Sequence, residues 1–452
     1  MAFFSDTEDE LGARNGRGDF FVFSLLPLLT RSAVTGVLAG AVVTLFSLLL
    51  ELASELSLEA AAAARGNAWL SVAVVVVAAA LGLAAAFWTK LFPEGRGSGV
   101  PSSEALARGE TEGVWHRLCL STLVGTALSF FAGVPVGAEG PAVQLGAGIG
   151  AGMENETFRR PRPVVSAGIA AGITGAFAAP LAGVLFAVEE THRRFDSKIC
   201  AAACMAAFYA FSVRRLLGGA LGMDEVYFGS GAAELPGGYV WAAIAAGAVA
   251  ALAAAAFSRA ILLTDRLSKP GRLPRALTLP LLFGLSAVFL LFYPEVAGSG
   301  KSMIMSAAAG GGDALSALLA GAVKFVLVCL VFGVAPTGGM MVPMLAVGAA
   351  LGEAFGALLA FAGLPQECIP ALSMITMCAF LGSGMCAPLT ALALFAETTA
   401  LFESIPCAVA AVAVSAAVGR LLGRRPLYDA LWERSEERRL KAENLSRPAA
   451  GR

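Results

Sequence analysis

Strongly apolar stretches dominated by Ala, Leu, Gly and Val recur from Ser32 to Leu422, and none shows the in-out alternation of a barrel strand. A bilayer core about 30 Å thick takes roughly 20 apolar residues per helix, and a spanning backbone must satisfy its own polar groups, so the pattern predicts transmembrane helices. The spans fall at 33–55, 69–90, 117–132, 164–188, 198–216, 238–264, 276–293, 314–334, 344–363, 369–384, 388–402 and 405–423. Several are too short, or too interrupted by Gly and Pro, to cross cleanly. They predict broken or re-entrant helices.

Composition agrees: 57% hydrophobic and 14% charged residues exclude a water-soluble surface, and a net charge of -1 gives no reason to expect nucleic acid. Charge is displaced toward the ends, with eight charged residues from Ala276 to Gly419 and fourteen from Arg420 to Arg452. The expected organisation is an N-terminal segment (1–31), a first membrane repeat (32–216), an external linker (217–237), a second repeat (238–431) and an exposed charged tail (432–452). Residues 1–19 are polar and acidic before the first apolar run near Phe20, unlike a cleaved signal peptide. All eight cysteines read as small buried hydrophobes without metal-ligand spacing, and neither a metal nor a cofactor is expected.

The halves repeat. Pro93-Glu94-Gly95-Arg96-Gly97-Ser98-Gly99 returns 201 residues later as Pro294-Glu295-Val296-Ala297-Gly298-Ser299-Gly300. Gly137, Pro141, Gly146, Ala147 and Gly150 meet Gly339, Pro343, Gly348, Ala349 and Gly352 at an offset of 202. Ala179-Pro180-Leu181, Glu189 and Thr191 meet Ala387-Pro388-Leu389, Glu397 and Thr399 at 208. Three collinear matches imply a duplicated unit of about 200 residues. Basic residues follow Glu190 (His192, Arg193, Arg194, Lys198), whereas none follows Glu397 before Arg420, so the positive-inside tendency predicts inverted repeats. The acids Asp224, Glu225 and Glu234, against the bases Arg266, Lys269, Arg272 and Arg275, point the same way; Arg214 and Arg215 do not. Inverted repeats of broken helices are a transporter architecture, with the site near the midplane.

Three glycine-rich turns run into proline: Gly97 to Pro101, Gly137 to Pro141, and Gly338 to Pro343. Each reads as a helix start, whose first amides lack internal acceptors and carry partial positive charge. In a membrane their economical partner is a small anion or an acidic side chain. Close helix packing explains any one such glycine, but not three motifs each with its proline. Glu139 is an acid within such a start, and an ionisable group there costs at least ~2.5 kcal/mol unless it has a partner or a role. Its carboxylate can occupy the anion position itself and give it up on protonation. Glu189 and Glu190 end an apolar run beside Arg193 and Arg194, where solvated ion pairing is the ordinary alternative.

These residues resemble the CLC family of chloride channels and chloride/proton exchangers from about Ser32 to Leu431. Gly97 to Pro101 is similar to the family's GSGIP motif, Gly137 to Pro141 to GREGP or GKEGP, and Gly338 to Pro343 to GGxFxP. Ala179 to Gly183 with Glu189-Glu190, and Arg425-Pro426-Leu427-Tyr428, extend the likeness. The resemblance implies an all-α membrane fold of two inverted-topology repeats with tilted, broken helices. It implies that Ser98, Tyr428 and the amides of Met340 and Met341 bind chloride, with Ala138 and Gly140 at an outer anion site. Glu139 takes the place of the external gate and proton carrier, and Glu190, with Glu189 beside it, that of the inner proton-transfer acid. It further implies a homodimer in a lipid bilayer, both termini cytoplasmic, in a prokaryotic inner membrane.

Two departures bear on coupling: Ala138 stands where the family has Arg or Lys, and Met341 where it has Phe. A third, Ser102 in place of an acid, matters less, and no CBS pair follows Tyr428. The function expected is chloride/proton exchange. A passive chloride channel is the alternative that Glu190 opposes, and Ser98 and Pro141 oppose a fluoride/proton exchanger. An intramembrane serine hydrolase built on Gly97-Ser98-Gly99 needs a histidine base, for which only His116 and His192 are available.

Overall fold

The computed structural model describes residues 25–154, 160–223, 228, 233–267, 274–310 and 312–446. Asp224, Glu225, Lys269, Arg272 and residues 1–24, all used above for topology, lie outside them. Among the described residues the regular elements are all helices. Helices α1 (Leu26–Ala64), α2 (Ala68–Leu91), α3 (Val100–Arg108), α4 (Trp115–Phe131), α5 (Glu139–Met153), α6 (Pro163–Phe177), α7 (Pro180–Leu185) and α8 (Ser197–Leu221) form the first repeat. Their counterparts are α9 (Val240–Leu267), α10 (Arg275–Phe292), α11 (Lys301–Ala309), α12 (Ala314–Val334), α13 (Met341–Ala360), α14 (Ile369–Met385), α15 (Pro388–Thr399) and α16 (Ile405–Leu421), and α17 (Leu427–Ser446) follows.

The repeat is carried by packing and by backbone. The pairs α5/α6, α6/α8, α1/α8 and α1/α6 recur as α13/α14, α14/α16, α9/α16 and α9/α14. Left-handed residues recur as well: Ala178 (φ 55°) matches Cys386 (φ 62°), each ending a helix just before its Ala-Pro-Leu. The two repeats meet at their equivalent glycines, where Gly137 N donates to Gly339 O (2.7 Å) and Gly339 N to Gly137 O (2.6 Å). That antiparallel bridge lies where two inverted-topology repeats exchange. A second exchange is made by side chains. Glu189 accepts from the amides of Leu389 (3.0 Å) and Thr390 (2.7 Å) at the start of α15, while its repeat mate Glu397 accepts from Leu181 (2.9 Å) and Ala182 (2.8 Å) at the start of α7. Each carboxylate caps the other repeat's short helix, satisfying amides with no internal acceptor.

Eight helices among the described residues are long and apolar enough to cross a bilayer, rather than the twelve spans bracketed from sequence. The 164–188 bracket is broken at Ala178 into α6 and α7, followed by a π-helical turn over Phe186–His192. The first span is not 33–55 but the 39-residue α1, because Arg31 before the bracket and Glu59 after it ride on the helix rather than end it. Helices α3, α5 and α11 start at the glycine turns and lie outside every bracket. Helices α6 and α14, repeat mates, are buried along almost their whole length. At the α5/α6 crossing Gly146 and Gly168 face each other so closely that a Cβ on either meets the other's carbonyl. The charged segment from 432, read as an exposed tail, is helical through Ser446 and tied down: Arg434 donates to Leu262 O (2.6 Å) and Arg438 pairs with Asp265. Only four of the eight cysteines are buried, and Cys204 is exposed on α8, which corrects their uniform reading as core residues.

Candidate functional site

The three glycine turns converge. Gly97 and Gly99, both left-handed (φ 78° and 79°), present Ser98, and Gly338 N donates to Gly97 O (3.1 Å). Thr337 fastens this junction by donating to Gly95 O (2.5 Å), and Ser129 donates to Thr337 O (2.8 Å). Gly140, in the first turn of α5, lies against the Ser98 carbonyl with no room for a side chain. The N-terminal ends of α5 and α13 thus face one another across the Gly137–Gly339 bridge, with Ser98 beside them.

Glu139 is buried (1% exposed) at this meeting point. Its carboxylate accepts from Ala138 N (3.2 Å) and, across the repeat boundary, from Val342 N (3.4 Å) in the first turn of α13. The carboxylate therefore occupies the amide-lined position expected for an anion. A Cβ on Gly339 would sit 2.8 Å from its Oε2, so the glycines here leave the room that the carboxylate takes. Met340 and Met341 are buried at the start of α13 beside this contact.

Two hydroxyls complete the centre. The Ser98 hydroxyl and the Tyr428 hydroxyl are both buried, and neither has a hydrogen-bond partner among the described residues. Buried polar groups are ordinarily paired, and two unpaired donors beside helix N-termini suit a small anion. Tyr428, carried inward by the start of α17, is fully buried and within electrostatic reach of Glu104, Glu190 and Glu139. Among the described residues neither hydroxyl has a Lys or Arg hydrogen-bond partner, so what the protein offers there is partial charge.

Glu139 also lines a cavity of about 400 Å³ with Ala138, Glu51, Arg214, Lys301 and Ser302. Ala138 adds no charge to it, but Lys301, paired with Glu51 (2.9 Å), and Arg214 do. A second cavity of about 280 Å³, sharing no lining residue with the first, is walled by Arg108, Thr191, His192, Arg193 and Asp429.

Glu189 and Glu190 part company. Glu189 caps α15 through the amides of Leu389 and Thr390. Glu190 is buried (1% exposed), its Oε1 unpartnered, while Arg193 turns instead to Asp429 (2.6 Å). The solvated ion pair is not what forms. His192 is hydrogen-bonded to Ser166 (2.7 Å), and Ser98 bonds no histidine, so the base that a hydrolase requires is missing from Ser98 among the described residues.

Three residues at the centre escaped sequence reasoning. Gln144 of α5 donates to Glu94 O (2.8 Å) and accepts from Thr122 (2.7 Å), holding the loop that leads to Ser98. Lys324, buried in α12, does the same in the second repeat through Val296 O (3.0 Å) and Gly298 O (2.6 Å). Glu104, fully buried in α3, is the third. For Gln144 and Lys324 the available signal was a polar residue within an apolar helix, which does not separate loop anchors from ion-handling groups, and Glu104, in the short and mixed α3, carried no such signal.

The profile of the family described as "Voltage gated chloride channel" matches residues 81–420, three quarters of the chain. The chain belongs to this family. Among curated members, the H(+)/Cl(-) exchange transporter ClcA of Salmonella arizonae is 28% identical over 442 residues, covering 94% of this chain and 92% of the relative. The protein of the same name from Vibrio parahaemolyticus is 29% identical over 430 residues, covering 90% of each. A slow cyanobacterial Cl-/H+ antiporter shares the fold with a TM-score of 0.81 at 24% identity, over 90% of this chain and 98% of its own. A CLC-type fluoride/proton antiporter superposes with a TM-score of 0.70 at 25% identity, over 87% and 95%. Family membership makes this an integral membrane transporter or channel, and the inverted-repeat fold is that of the family.

Proposed function

We propose that this member of the family is a secondary active transporter that exchanges chloride for protons. The observation that carries the reading is the Glu139 carboxylate held by the amides of Ala138 and Val342, where an anion and an ionised carboxylate exclude one another. Ser98 and Tyr428 hydroxyls, with the amides of Met340 and Met341, bind chloride at the centre; Ala138 and Gly140 border the outer approach. Chloride arriving from the centre displaces Glu139, and the displaced carboxylate takes a proton from the 400 Å³ outer cavity that it lines. Return of the carboxylate requires loss of both the proton and the chloride. Glu190, buried near Tyr428 and Arg108, passes the proton on the inner side. Exchanger names among the curated relatives support this assignment. A homodimer with a pore in each subunit, both termini cytoplasmic, in a prokaryotic inner membrane belongs to the same proposal.

Replacing Glu139 with Gln tests it. The amide keeps the shape and cannot titrate, so chloride flux into liposomes persists and coupled proton movement disappears. Stoichiometric proton movement in Glu139→Gln would remove Glu139 from the mechanism. A passive channel is the second reading, and retained Glu190 disfavours it.

A further inference from the structure

The exchange reading gives no role to Glu104, the most deeply buried acid among the described residues. Glu104 sits on α3, six residues after Ser98, and is fully buried, with neither carboxylate oxygen in a hydrogen bond. Three other acids do have such partners, since Glu189 and Glu397 cap helices and Glu139 meets two amides. The nearest cation to Glu104, Arg108 Nη1, stands 3.8 Å away and is shared. Arg108 also reaches Glu110 (2.7 Å), Asp429 (3.7 Å) and the carbonyl of Thr191 (3.1 Å). A carboxylate in that position has neither the capping geometry nor the dedicated counter-ion of a structural acid.

Its surroundings are those of a relay. The charged groups facing it are Glu190 from the π-helical turn, Arg108 from its own helix, and Asp429 and Arg193, which pair at 2.6 Å. Three of these, Arg108, Arg193 and Asp429, wall the 280 Å³ cavity. On the other side lies Tyr428, at the start of α17, which packs against α3. Glu104 is thus bracketed by the cavity and Glu190 at one end and by the central tyrosine at the other. Two buried carboxyls that sense one another resist being ionised together, so a proton on one favours its transfer to the other.

We infer that Glu104 is a second proton-carrying carboxyl on the inner limb of the exchange path, acting with Glu190 between the Arg108–Asp429 cavity and Tyr428. The inference rests on the exchange reading. In the step, the O–H bond breaks at the Glu190 carboxyl, an intervening water takes that proton and gives up one of its own, and the new O–H bond forms on a Glu104 carboxylate oxygen, with no change of oxidation state. The test compares proton and chloride fluxes of the purified full chain in liposomes for wild type, Glu190→Gln, Glu104→Gln and Glu104→Asp. Proton flux falls roughly tenfold or more in Glu104→Gln while chloride flux stays near wild type, and Glu104→Asp recovers coupling. A merely structural role moves both fluxes together and leaves their ratio unchanged. Should Glu104→Gln fail to reconstitute, Glu104→Met, unbranched and of similar length, answers the same question. Coupled wild type with an unchanged ratio in Glu104→Gln overturns the inference alone. Uncoupled wild type overturns the exchange reading, and this inference with it.

Discussion

Glu139 does in this molecule what a halide does at a helix terminus: it satisfies amides that have no partner in their own helix. The arrangement depends on glycines that bring backbone against backbone. Gly140 is the most exacting, because a Cβ there runs into the Ser98 carbonyl and backbone cannot swing aside as a side chain can. Gly140→Ala is expected to cost about 1–3 kcal/mol, read as a lowered thermal midpoint in detergent, and to reduce chloride flux by displacing Ser98. Wild-type stability and flux would mean that the turn is looser than it looks. Met341 is buried beside the same junction, a flexible thioether in place of the family's aromatic ring. Met341→Phe should tighten the proton-to-chloride ratio, checked by paired flux measurements; an unchanged ratio assigns coupling to other residues. At this scale the sequence names Ser98, Glu139, Glu190 and Tyr428 through their motifs. It does not name Val342, whose contribution is an amide, nor Glu104, which has no neighbour of note until α3, α17 and the π-helical turn come together.

Among elements, the short helices α7 and α15 are too small to hold themselves, since each leaves its first amides unsatisfied. Glu397 and Glu189 meet that need reciprocally across the repeat boundary. Glu397→Ala should cost about 1–2 kcal/mol, seen as a lowered unfolding temperature, and Glu189→Ala should cost at least as much because Thr390 also donates its hydroxyl to it (2.8 Å). If neither substitution changes the unfolding temperature, the caps are incidental. The positions of both acids were legible as repeat mates, but their partnership was not, because the contacts join residues about 200 positions apart. Span lengths failed for a different reason. Helix α1 runs 39 residues, about 58 Å, far beyond the thickness of a bilayer core, so its polar residues continue the helix where sequence reading ended it. Helices α3 and α11, nine residues each, are too short to register as apolar runs, and the glycine turns that start them were the better guide.

The whole molecule is two interlocked copies of one unit, and the centre proposed for exchange lies where they meet. Ser98 and Glu139 come from the first repeat, Val342 and the Met340–Met341 turn from the second, and Tyr428 from the helix that follows. Neither half alone holds the carboxylate. The collinear repeat and its inversion were readable from glycine, proline and basic residues, whereas the joining bridge at Gly137 and Gly339 required the folded chain. A carboxyl and an anion that take turns at this junction oblige the two fluxes to be linked. The direct test is reconstitution of the wild-type chain in liposomes under a chloride gradient, with voltage clamped by an ionophore, while proton movement is recorded. Protons driven uphill against chloride are the predicted result. Chloride flux with no proton movement would contradict it.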